Sequence, residues 1–210
     1  LPEGYVFADP ENPEVRAHIT NVAVDLIDRY RVDGLHLDYV RYPERGSADQ
    51  QSVREQAVYD VVTSIKKAVD VPVTAAVWGV YENKWGWDGV SEGRRDYAQD
   101  SHRMLAEGAL DAIVPMIYWP VGETKGDRLD FASVIEDHVS RADGRPVLAG
   151  IGGEHLRFEQ VLQCVRAARG AGAAGVVIFD YSLFATELEL LPRSVFYTAT
   201  PSPLRANKAL

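Results

Sequence analysis

Apolar residues recur along this chain in two alternating rhythms, short runs of strand length and longer stretches at helical spacing. Asn12-Pro13-Glu14 supplies an N-cap, a proline for the first helical position and an early acid, and Val15, Ile19, Val22, Leu26 and Ile27 follow with a helical period. That predicted helix leads into Val32 to Pro43, whose apolar part reads as a strand. Gln51 to Val69 repeats the helical pattern with Val58, Val61, Val62 and Ile65, and Pro72 to Gly79 reads as the next strand. Arg95 to Glu107 is predicted as one helix closed by Gly108, and Asp111 to Trp119 as a strand. Pro115 lies inside that strand and removes a ladder donor, so a bulge or an unpaired position is expected there. Helices over Phe131 to Ala142 and Phe158 to Ala168 alternate with strands over Pro146 to Ile151 and Gly175 to Tyr181. Gly4 to Ala8 is a candidate end of one further strand.

Strictly alternating strands and helices call for a parallel sheet with crossover helices. Five strands, or six with Gly4 to Ala8, fall short of the eight that close a barrel, and a closed barrel usually takes about 250 residues. The expected architecture is therefore α/β of the (β/α)8 TIM-barrel type, with only the later strands, about five or six β/α units, in this chain. An open doubly wound sheet is the alternative. Residues 1–190 form the expected partial barrel domain, and 191–210, rich in Pro, Ser and Thr, an extended tail.

At 210 residues and a formal charge of −9, with basic residues scattered, the chain is a poor fit to nucleic acid or to anionic membranes. No apolar stretch reaches membrane-spanning length, so no membrane insertion is expected, and no signal-like segment opens the chain. Its one cysteine, Cys164, lies in an apolar helical run and reads as a buried thiol. The five histidines are far apart and no HExxH occurs, which leaves no metal or other cofactor indicated. GxSxG, Walker and strand-borne GxGxxG patterns are also missing.

Val32 to Pro43 carries the strongest chemical signal. Strand geometry turns His36 and Asp38 to one face, roughly 6.5 Å apart, and Leu35 and Leu37 to the other. A carboxylate at the C-terminal end of a parallel strand points to where such folds bind ligands, which makes Asp38 the leading catalytic candidate. Glycoside hydrolysis usually needs two carboxyl groups about 5 to 9.5 Å apart. Asp180 after GVVIF and Glu154 after PVLAGIGG are the two leading partners, and Glu82 after PVTAAVWGVY is third. His36 stands to orient Asp38 or to fill the barrel core; Arg41 stands to pair with Asp38 or to bridge loops. Sugar rings present apolar faces that stack on aromatic side chains. Trp78, Tyr118, Trp119 and Tyr39 sit at predicted C-terminal strand ends, with Tyr42, Trp85 and Trp87 in nearby loops.

Three stretches, Asp9-Pro10-Glu11-Asn12-Pro13-Glu14-Val15-Arg16, Val32 to Pro43, and Gln99-Asp100 through Pro115-Met116-Ile117-Tyr118-Trp119, resemble the glycosyl hydrolase-like family related to family 10, over roughly residues 5 to 185. The resemblance implies a (β/α)8 barrel in which the Asp38 strand is the fourth, so that strands one to three are largely outside this chain. It also implies an extracellular or cell-envelope location. Many members carry a second acid directly after the first; here that position is Tyr39.

The resulting expectation is a glycoside hydrolase-like domain cleaving O-glycosidic bonds of a polysaccharide or amino-sugar glycan by carboxylate acid/base catalysis. Its catalytic candidates are Asp38, Asp180 and Glu154, and its substrate-binding candidates His36, Tyr39, Arg41, Trp78, Glu82, Tyr118 and Trp119. The competing expectations are a non-catalytic carbohydrate-binding domain, or a fragment inactive until an oligomer or a complementing N-terminal segment completes the barrel.

Overall fold

In the computed structural model, which describes residues 6–153, 156–180, 188–198 and 201–204, the N-terminal signal works as the sequence sets it. The Asn12 side chain accepts the Glu14 amide at 2.9 Å, Pro13 takes the first helical position, and helix α1 (Pro13–Tyr30) follows. Arg31, in the left-handed region at φ 49°, ends it. Five strands come next, β1 (Leu35–Leu37), β2 (Val73–Trp78), β3 (Ala112–Ile117), β4 (Leu148–Gly152) and β5 (Gly175–Phe179). Between them run α2 (Gln51–Ala68), α3 (Gly93–Tyr97), α4 (Ser101–Ala106), α5 (Phe131–Arg141) and α6 (Phe158–Gly170).

Every strand pairs in parallel with the strand next in sequence, in the order β1-β2-β3-β4-β5. A doubly wound sheet reverses its strand order at a switch point, and none occurs here. The sheet is a partial (β/α)8 barrel that carries its helices on one face. Val73, Ala75 and Val77 of β2, Ile113 and Ile117 of β3, and Ala149 and Ile151 of β4 pack there against Val58 and Val62 of α2, Ile135 of α5 and Val161 of α6. The opposite face is the barrel interior. It is covered in the middle, where Ala112 is fully buried, and open at both margins: His36 on β1 is exposed, and so are Val177 and Phe179 on β5.

Three expectations change, and one is decided between its two alternatives. Arg95 to Glu107 is two short helices, because Ala98 adopts the left-handed region at φ 52° and Gln99 and Asp100 turn their side chains to other work. At Pro115 the unpaired position is the alternative met, without a bulge. Pro115 stays in register with Val77, and the β3–β4 pairing lapses between Ile113↔Val147 and Met116↔Gly150, resuming unshifted where the missing donor has been passed. No strand forms over residues 6–8, residues 4 and 5 lie outside the described residues, and the described residues hold five strands. Finally, the segment expected as an extended tail starts with helix α7 (Leu191–Ser194), whose Leu191 enters the core together with the following Val195.

Candidate active site

The C-terminal ends of β1, β2, β3 and β5 meet at one mouth. Asp38 follows β1 directly and is exposed, its Oδ1 accepting the Tyr39 amide at 2.7 Å. Tyr39 carries a left-handed φ of 56°, which turns the chain sharply after the acid. The expected His36 contact is taken by Thr74 instead: His36 Nδ1 and Thr74 Oγ1 lie 2.8 Å apart across the β1–β2 pair. Partial desolvation of the ring against β2 lowers the His36 pKa although one side stays exposed, and the nearby Asp38 charge partly offsets that.

Arg41 does not pair with an acid among the described residues. Its guanidinium lies 4.1 Å from the Tyr39 ring centroid, 5.0 Å from Trp78 and 4.9 Å from Tyr97, a cage of three aromatic rings. Trp78 at the end of β2 is held on three sides. Its amide donates to Gln99 Oε1 at 2.7 Å, its indole N–H donates to the Ser91 carbonyl at 2.9 Å, and its ring packs on Tyr97 at 4.3 Å. Trp119, at the end of β3, lies so close to Gly79 that a Cβ there would meet its ring at 2.8 Å and the Met116 carbonyl at 2.5 Å. Gly152 plays the same part for Tyr118, whose ring atoms lie 2.8 Å from where a Cβ would stand.

These side chains wall a cavity of about 430 Å³, lined by Arg41, Trp78, Tyr118 and Trp119 from the strand ends and by Ser91 and Arg128 from the loops. Tyr118 links the two ends of the mouth. Its hydroxyl pKa is raised by burial and then by the Asp38 charge, while its ring stacks on Phe179 at 6.0 Å, next to Asp180. Asp180 is half-buried at the end of β5. Glu82 belongs to a different neighbourhood: Arg141 Nη1 donates to its Oε2 at 3.0 Å and Arg94 lies 3.8 Å from its Oε1, beside a charged surface pocket. Glu154 lies outside the described residues. Trp85 and Trp87 stack on each other at 4.4 Å and pack on the core, and buried Tyr42 donates to Glu11 at 2.8 Å. The Glu11–Tyr42 bond ties the first of the resembling stretches to the second.

Gln99 entered the sequence reading only as part of the third resembling stretch, since its polar type inside a predicted helix gave no sign of its place. It is 1% exposed, and its amide donates to Val40 O at 3.0 Å while its carbonyl accepts Trp78 N, clamping the end of β1 to the end of β2. Arg128 was equally illegible, being remote in sequence from any strand end. Cys164 is fully buried, and burial pushes its thiol up to about 12. Among the described residues no group of His, Cys, Asp and Glu side chains converges as metal ligands, and no helix is long and apolar enough to cross a membrane.

Fold and mouth together define a partial (β/α)8 barrel with an acid and an aromatic cavity at the C-terminal ends of its strands. No family model matches the chain. In sequence it is similar to the glycosyl hydrolase DigH of Escherichia coli K12, 30% identical over 141 residues, which is 53% of this chain and 31% of that protein. The DigH of Shigella flexneri gives the same figures. The chain thus spans about a third of the length of the curated relatives it matches. Among solved structures, it is similar to the catalytic domain of β-amylase from Paenibacillus polymyxa, with a TM-score of 0.63 at 11% identity over 91% of this chain and 70% of that one. The N-acetylneuraminate lyase of Mycoplasma synoviae gives 0.48 at 14% identity over 85% and 54%. At such identity the β-amylase likeness speaks for the fold alone.

Proposed function

We propose that this chain is the catalytic-face portion of a glycoside hydrolase, acting on a polysaccharide or amino-sugar glycan with Asp38 at the scissile bond. The observation that carries the reading is the placement of Asp38 at a strand's C-terminal end beside a cavity walled by Trp78, Tyr118 and Trp119. Sugar rings stack on such walls, and the acid at the rim protonates the leaving oxygen or attacks the anomeric carbon. The similarity to DigH, a glycosyl hydrolase by name, supports the same reaction class.

Asp180 is the better-supported partner for Asp38, because Tyr118 feels the Asp38 charge on one side and stacks on Phe179, the neighbour of Asp180, on the other. Glu82 already neutralises two arginines and is the weaker partner. Glu154 remains a second partner on sequence grounds. A substrate bearing an acetamido group needs only one enzyme acid, since it supplies its own nucleophile. A polymeric glycan as substrate also fits an extracellular or cell-envelope location.

The open margins of the barrel interior favour one refinement, that turnover is full only when further strands complete the barrel. The test is reducing-end release from a glycan panel by the wild-type chain and by Asp38→Asn, with glycan affinity measured in parallel. Loss of turnover by about a hundredfold or more with affinity kept supports the reading. Glycan binding without turnover in either protein, also after a preceding barrel segment is added, points to a carbohydrate-binding module instead.

A further inference from the structure

The charge of the aromatic cavity runs against that of the molecule. The chain has a formal charge of −9, yet the cavity lining contains two arginines, Arg41 and Arg128, and no acidic residue. Elsewhere near the strand ends arginines are neutralised: Arg94 meets Glu55, Arg95 meets Asp96, and Arg141 meets Asp137. Neither cavity arginine has an ion pair among the described residues.

How each is held matters as much as its lack of an acid. Arg41 is fixed by the faces of Tyr39, Trp78 and Tyr97, and among the described residues its one hydrogen bond is Nη1 to the Tyr42 carbonyl at a long 3.4 Å. Its Nε–H is buried without an acceptor. A guanidinium carries five donors, so most of the hydrogen-bonding capacity of Arg41 is unspent. Arg128 is oriented by a carbonyl alone, donating to Asp88 O from Nε at 3.2 Å and from Nη2 at 3.1 Å. Two cations preset by uncharged groups and left without a counterion make a receptor for an anion, strengthened by the apolar walls that exclude water.

We propose that the cavity takes the carboxylate of an acidic sugar residue, with Arg41 as the residue that reads it and Arg128 as the second cation. The proposal rests on the glycosidase reading and narrows its substrate class to glycans bearing carboxyl groups. A carboxylate is planar and the more basic acceptor, so it takes bidentate guanidinium bonds better than a sulfate ester, whose single charge is spread over three oxygens.

The test is calorimetric titration with matched glycan pairs, uronic-acid oligosaccharides and the same oligosaccharides carboxyl-reduced to neutral sugars, alongside a sulfated set. The wild-type chain is compared with Arg41→Gln and Arg128→Gln, each checked for native melting. The expected result is that wild type binds the acidic member at least about tenfold more tightly, that added salt shrinks this ratio, and that each substitution brings it towards one by costing the acidic member more affinity than the neutral one. A structural role for Arg41 lowers both affinities together and leaves the ratio alone. Equal binding within pairs, a ratio untouched in both variants, or preference for the sulfated set overturns the proposal. If neutral glycans are then still bound and cleaved, the glycosidase reading survives it; if no glycan of any kind binds, both fall.

Discussion

Asp38 and Gln99 show how much of this mouth is set by single side chains. The left-handed backbone at Tyr39 lets its own amide donate to the Asp38 carboxylate, so the acid is oriented by the residue that follows it. Gln99 is buried with both ends of its amide used, and a buried polar group that loses its partner costs about 1–3 kcal/mol. Gln99→Leu strips the Trp78 amide and the Val40 carbonyl of partners at once. The expected outcome is a loss of about 2–4 kcal/mol in urea unfolding, with weaker glycan binding because Trp78 and the Asp38 turn are no longer clamped together. Gly152→Ala is expected to act more locally. Its Cβ collides with the Tyr118 ring, so glycan affinity or turnover should fall more than thermal stability does, as melting curves and titrations of one sample will reveal.

At the scale of elements, the loop after β2 is pinned by a buried polar cluster shared with α4 and α5. His138 is fully buried, and its Nε2 lies 2.8 Å from the Gly79 carbonyl. A carbonyl only accepts, so His138 Nε2 carries the proton and its Nδ1 accepts from His102 Nε2, 3.1 Å away. Around the pair stand Tyr81, which donates to Asp100 at 2.7 Å, and Asp137, which accepts from Lys84 at 2.6 Å and from Arg141 at 3.0 Å. Burial lowers the His102 pKa to about 3 and the His138 pKa to about 4. Both folded values lie below the unfolded 6.5, so acid protonates the unfolded chain first. The stability these two residues contribute is whole above about pH 6.5 and is lost as pH falls towards 4, at up to about 1.4 kcal/mol per pH unit per proton. Melting temperature should decline from pH 7 to pH 5; a flat profile contradicts the neutral pair.

Element existence was legible wherever apolar spacing decided it: the Asn12 cap, α2, and the strands over 73–78 and 175–179 all stand where periodicity sets them. What the sequence left hidden depends on partners far along the chain. Nothing local in Arg95 to Glu107 says that Gln99 will be pulled out of helix to hold β1 and β2, or that Asp100 will cap α4 and receive Tyr81. The acid and the aromatics of the mouth were legible because strand ends place them; the caging of Arg41 was not, since two of its three rings come from β2 and α3.

At the scale of the whole molecule, the protein is a barrel wall with a finished middle and unfinished margins. Helix α1 docks on α2 and β1 through a small patch, Ala23 and Ile19 against Val61, Ile65 and Leu35, while Val22, Leu26 and Tyr30, which share or border that helix face, stay exposed. Removing an exposed apolar side chain costs little, whereas emptying a core position costs about 2–5 kcal/mol. Leu26→Lys is therefore expected to leave urea unfolding within about 0.5 kcal/mol of wild type, and Ile65→Ala to lower it severalfold more. A large loss at Leu26 would mean that this stripe is already covered in solution. Val177 and Phe179 add further exposed apolar surface, on the interior face of the sheet.

The proposed function puts a sugar in the aromatic cavity with its glycosidic bond at Asp38. A crystal structure of the chain soaked with a mixed oligosaccharide pool tests it most directly. The expected result is sugar rings against Trp78, Tyr118 and Trp119, a glycosidic oxygen within hydrogen-bond reach of Asp38, and Asp180 or Glu154 about 5 to 9.5 Å from Asp38 across the bond, or a substrate acetamido group in its place. Ordered sugar bound elsewhere, or bound in the cavity with Asp38 turned away from every glycosidic oxygen, would contradict it.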